Sequence, residues 1–101
     1  MPDSNPALRE WLEARTTRAP AALRERVLAR GAEAPDAGEL PARLALAAQR
    51  VLAIVEEHPG DRSIALELLA ADALITLALL AQAETAPDRL GRFAAELLRA
   101  G

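Results

Sequence analysis

The chain has no cysteine, no lysine and no tyrosine, and only one histidine, one tryptophan and one phenylalanine. Without cysteine it forms neither disulfides nor thiolate metal sites, and a lone histidine argues against structural zinc. The Glu-x-x-His pair of carboxylate di-metal bundles is also missing. So are the Gly-x-Ser-x-Gly elbow, the P-loop and the dinucleotide fingerprint. The only serines, Ser4 and Ser63, stand where helix caps are expected. Any catalysis would rest on carboxylates and arginines, so the expectation is a protein with neither a catalytic site nor a cofactor.

β-Branched residues are also few: Val27, Val51, Ile54, Val55, Ile64, Ile75 and four threonines. That scarcity argues against a sheet. What fills the chain instead is Ala, Leu, Arg and Glu, all strong helix formers. Half of the residues are hydrophobic and 27% are charged, a globular rather than a disordered balance. At 101 residues the length suits a single domain. The predicted fold is all-α: a compact bundle of four to five helices around a central apolar helix over about 62–84.

Periodicity and punctuation place the helices. The first is expected over about 6–14, capped by Ser4 or Asn5 and opened by Pro6. Leu8, Trp11 and Leu12 give it an apolar stripe. The second covers about 20–30, with Leu23, Val27 and Leu28 inward and Gly31 as its stop. AEAPDAG, from Ala32 to Gly38, is the longest connector and the expected mobile linker. The third covers about 41–57. Leu44, Ala47, Ala48, Val51 and Val55 share its apolar face, with Arg43, Gln49, Arg50, Glu56 and Glu57 toward water. His58-Pro59-Gly60 ends it. The fifth covers about 86–100, where Thr85 and Asp88 resemble a capping box. Its apolar face is Leu90, Phe93, Ala94, Leu97 and Leu98. No internal repeat and no sustained heptad register is visible.

The fourth helix carries the most information. IALELLAADALITLALLAQA, from Ile64 to Ala83, is broken only by Glu67, Asp72, Thr76 and Gln82. It is long enough to cross a bilayer. Its nine Leu and Ile residues gain about 0.3–0.6 kcal/mol each on insertion, whereas one central Asp costs about 2.5–3.5 kcal/mol. Glu67 adds to that cost and no Trp or Tyr anchors either end, so the balance argues against a membrane span. On a helical wheel Asp72 and Thr76 form one polar seam; Glu67 and Gln82, with Ala71 and Ala78, form another. Short neighbours can barely cover so long an apolar helix. A protein partner or a second copy is therefore expected, a two-fold dimer first.

Four residues stand out as candidates for an interface or a buried polar contact: Trp11, Glu67, Asp72 and Thr76. Asp72 is the most unusual, because a buried carboxylate must be paired, protonated or near water. His58 reads as a C-terminal residue favoured by the helix dipole.

The net charge is −3, which argues against a nucleic-acid partner. The distribution is uneven, with +2 over 1–30 and −5 over 31–101. A weak basic patch from Arg15, Arg18, Arg24, Arg26 and Arg30 is open to two helices that could mimic a helix-turn-helix. MPDSNPALRE lacks a basic segment followed by an apolar one, so a cytoplasmic location without a signal peptide is expected. The leading functional class is a small helical subunit, adaptor or regulator that self-associates or docks a partner through apolar helix faces. A binder of an apolar small molecule and a small DNA-binding regulator are the alternatives.

Overall fold

The computed structural model describes residues 6–34, 38–58 and 60–100. Among them are five α-helices and no strand: α1 (Pro6–Arg15), α2 (Ala21–Ala32), α3 (Leu40–Glu57), α4 (Ile64–Thr85) and α5 (Leu90–Ala100). A single 3-10 turn, Pro87–Arg89, joins the last two. The all-α bundle is thus as expected, and α4 packs against α2, α3 and α5. The caps expected from Ser4 and Asn5 and the centre of the linker, 35–37, lie outside the described residues.

The core is made of leucine knobs set between alanines. Leu8 and Leu12 enter from α1, Val27 and Leu28 from α2, Leu44 and Val51 from α3, Leu74 from α4. Ala47 and Ala48 on α3, and Ala70, Ala71, Ala78 and Ala81 on α4, are also buried. Small side chains on both buried faces let backbones approach closely, and α3 on α4 is the most extensive helix pair.

Four local expectations need correction. Gly31 does not stop α2 but lies buried in its last turn. A Cβ there would sit 2.5 Å from Leu12 Cδ1, so the glycine serves the close approach of α1 to α2. Arg43 does not face water; it is buried, one turn before Ala47 on the face that α3 turns inward. The capping box is not formed: the Thr85 hydroxyl donates back to Ala81 O at 2.7 Å, and Asp88 lies exposed in the 3-10 turn. Leu98, expected on the apolar face of α5, is 82% exposed.

The start of α4 has its own device. Asp61 Oδ1 accepts from both the backbone N–H and the hydroxyl of Ser63, each at 3.0 Å. Ser63 occupies the cap position; its carbonyl accepts from Glu67 N–H at 3.4 Å, but its side chain makes no bond to the helix. Hydrogen bonding from the Ser63 backbone holds the Asp61 carboxyl below the usual range.

Candidate functional site

The two polar seams of α4 have opposite fates. Glu67, Ala71 and Ala78 are buried, and Gln82 is half-buried with its Nε2 donating to Ala86 O at 3.1 Å. Asp72 and Thr76 are exposed. The sequence singled out Asp72 as the carboxylate in need of a partner, but the buried carboxylate is Glu67, whose side chain is 5% exposed. Arg26 and Arg30, one helical turn apart on α2, both close on it. Arg30 Nε donates to Oε1 at 3.1 Å and Nη2 to Oε2 at 2.6 Å; Arg26 Nη1 also donates to Oε2. The hydrogen bond from Arg30 is the main cause that holds the Glu67 carboxyl below its usual range, against the opposing pull of burial. The same bond holds Arg30 protonated more firmly than usual.

A second clasp ties α1 to the far end of α4. Arg15 Nη2 meets Glu84 Oε2 at 2.9 Å and Oε1 at 3.0 Å. The Trp11 indole N–H donates to the same Oε1 at 3.3 Å, and the Arg15 guanidinium lies 4.7 Å from the centre of the Trp11 ring. Trp11 is half-buried against the core. Arg15 above all holds the Glu84 carboxyl below its usual range.

These contacts redefine the basic patch. Arg15 is engaged with Glu84, Arg26 and Arg30 with Glu67, and Arg24 Nη2 donates to Glu13 O at 3.3 Å. Three of the five arginines of the patch are thus paired with carboxylates of α4, Arg24 bonds a neutral carbonyl, and Arg18 stays exposed. The depression over this region, about 490 Å³, is lined by Arg26 and Arg30 but also by Glu25 and Glu33.

The outward face of α4 is mostly apolar. The outward row of α4 is Ala65, Leu69, Asp72, Thr76, Leu79 and Ala83, with Leu68 and Leu80 beside it. The steps between row positions alternate four and three, the spacing of a helix–helix seam, over fewer than three heptads. Leu68 is 50%, Leu69 54% and Leu80 40% exposed. The Thr76 hydroxyl donates to Asp72 O at 3.0 Å, one turn back, so Asp72 is the one charge in the row. The helix is long and apolar enough to cross a membrane by length and composition, with a mean hydropathy of 2.1, and 39% of that stretch is buried. A smaller apolar groove of about 350 Å³ runs between α3 and α5, lined by Ala42, Ala45, Leu46, Gln49, Phe93 and Leu97, with Glu96 at its side.

His58 is the exposed C-cap of α3. Among the described residues no cluster of three metal-ligating side chains occurs. No protein-family model matches this chain, and no curated protein and no solved structure matches it.

Proposed function

We propose that this chain is a non-enzymatic helical interaction module, a small subunit, adaptor or regulator that docks through the outward face of α4. The observation that carries this reading is the row of exposed leucines Leu68, Leu69 and Leu80 on one face of one helix. Single exposed leucines are ordinary. A strip about 27 Å long and one helix wide is less so: at about 300 Å², with Asp72 and Thr76 inside it, it is comparable to the largest apolar patch of a typical monomer, which is often functional.

The stability of the bundle does not require this face. The opposite side of α4 supplies the core, through Ala70, Ala71, Leu74, Ala78 and Ala81. Leucine in place of glutamate or lysine on a water-facing helix costs solubility and gains nothing for the fold of one copy. Its physical use is in contact with another apolar surface.

The test is the double variant Leu69→Glu with Leu80→Glu. Wild type should associate, or bind an apolar fluorescent dye where it does not. The double variant should lose both behaviours and keep the helix content and melting temperature of the dilute wild type. A wild type that stays monomeric and binds no dye, or a double variant that behaves like it, overturns the reading.

The groove between α3 and α5 favours one further reading, an apolar small-molecule site, because its lining is mostly Ala, Leu and Phe93. Leu46→Glu should then abolish uptake of an apolar probe that Leu69→Glu leaves intact.

A further inference from the structure

The outward face of α4 is matched to itself under reversal. Reflected about Leu74, Ala65 falls on Ala83, Leu68 on Leu80, Leu69 on Leu79, and Asp72 on Thr76. Each apolar residue meets its own kind, and the two polar ones meet each other. A two-fold contact pairs i with j and j with i, so this match gives a seam of like size along its whole length, with the polar residues grouped at its centre. We propose that the occupant of this face is a second copy of the chain, with the two α4 helices antiparallel about a two-fold axis level with Leu74. The inference rests on the docking reading above and names its partner.

Charge decides the direction. In a parallel pair each residue meets its own counterpart, so two Asp72 carboxylates would be pressed together, at a cost. In the antiparallel pair each Asp72 is level with Thr76 of the second copy, and the two carboxylates lie about 6 Å apart along the axis. The Thr76 hydroxyl now donates within its own helix. Threonine divides between two rotamers in helices, and rotation about one bond would turn that donor toward the carboxylate of the second copy. Antiparallel packing also sets the positive end of each α4 beside the negative end of the other.

The four-three spacing drifts only about 20° per heptad, so over fewer than three heptads the seam stays on one side of the helix. A footprint of about 300 Å² on each copy is well below the roughly 800 Å² a side of a standard interface, which is the size of a weak, transient contact. The surface is therefore suited to reversible association.

The absence of cysteine makes the register directly measurable. Two single variants, Ala65→Cys and Ala83→Cys, place a thiol at either end of the face, about 27 Å apart. Mixed and oxidised, or treated with a short bismaleimide, they should form a cross-linked dimer containing one of each. Neither alone should link to itself. Light scattering of the wild type should rise from monomer to dimer mass with concentration. Leu69→Glu with Leu80→Glu should associate at least about a hundredfold more weakly, because central interface leucines are replaced by charges. Self-linking of Ala65→Cys would overturn the antiparallel arrangement. A wild type that stays monomeric at every concentration would overturn the second copy as occupant. If that monomer still binds dye and loses it in the double variant, the docking face survives with another partner, so the two failures are told apart.

Discussion

Glu67 Oε1 accepts from Arg30 Nε at 3.1 Å while Oε2 accepts from Arg30 Nη2 at 2.6 Å. This two-point bond fastens the one buried carboxylate among the described residues of α4 to α2, with Arg26 closing the other side. The planar guanidinium fork suits the carboxylate better than a lysine would. Removing one partner of such a pair leaves buried charge without compensation, which is where its stability consequence lies.

Glu67→Gln should therefore destabilise the fold. A fully buried pair costs about 3–5 kcal/mol when broken. Here Arg26 and Arg30 keep 37% and 21% of their side chains exposed, so water takes up part of the loss and about 1–3 kcal/mol is expected. Acid should show the same bond. The folded carboxyl is held below its usual range, so its contribution is complete above the ordinary glutamate value of about 4.3 and fades as pH falls from there through the folded value. Asp61 and Glu84 are shifted in the same direction. The difference between wild type and Glu67→Gln isolates Glu67: it should shrink on acidification, followed by urea denaturation at stepped pH. A constant difference would show that the glutamine loses shape, not charge.

The two faces of α4 should respond oppositely to truncation. Leu74 has no exposed surface, so Leu74→Ala leaves a cavity and should cost about 2–5 kcal/mol. Leu69 is 54% exposed, and Leu69→Ala should change the stability of a dilute sample by less than about 0.5 kcal/mol. Thermal melts at low concentration check both. Equal losses would mean that Leu69 is covered in the dilute protein.

The contrast also explains what was legible in the sequence. Helix positions were readable because Ala and Leu recur at helical spacing between Pro and Gly punctuation. Which side of α4 turns inward was not, because Leu, Ile and Ala surround that helix on nearly every side and a short polar seam lies on each of two sides, one outward and one buried. With both faces apolar, Glu67 and Asp72 look alike as interruptions, and their positions alone do not say which one is buried. One signal was present: Arg26 and Arg30 stand four apart on α2, so both point to one side. Matching that pair to Glu67 needs the docking of α2 on α4, which local pattern does not encode. Arg43 was misplaced for a related reason. It borders the apolar face of α3, and packing beyond the helix decides whether a border position is covered.

Gly31 shows packing overriding a local rule. After a run of helix formers, glycine reads as a stop, yet α2 continues through it to Ala32. Gly31→Ala should add helix propensity of about 1 kcal/mol but force its Cβ against Leu12 Cδ1, 2.5 Å away. Leu12 is 1% exposed and has little room to turn, so overpacking of about 1–3 kcal/mol should win, for a net loss. In a Leu12→Ala background the clash is gone and the same change should be neutral or stabilising. A double-mutant cycle measures the coupling. Additive effects would rule out the close approach as the reason for this glycine.

Asp72→Leu separates the fold from the assembly most sharply. Asp72 is exposed in the single copy, so replacing it should leave the dilute melt unchanged or slightly raised, because leucine is the better helix former. In the proposed pair it stands at the centre of the seam, its one charge, level with Thr76 of the second copy. A buried charge there sets register and orientation while weakening association. The leucine variant should therefore dimerise more tightly, by about tenfold or more for each 1.4 kcal/mol released, and should do so less selectively. With Asp72→Leu added to the thiol variants, Ala65→Cys should begin to link to itself, because the parallel pair no longer opposes two carboxylates. Tighter association with the antiparallel link still exclusive would assign orientation to the flanks of the face instead. Weaker association would mean that the carboxylate itself bonds across the contact strongly enough to outweigh the cost of burying it.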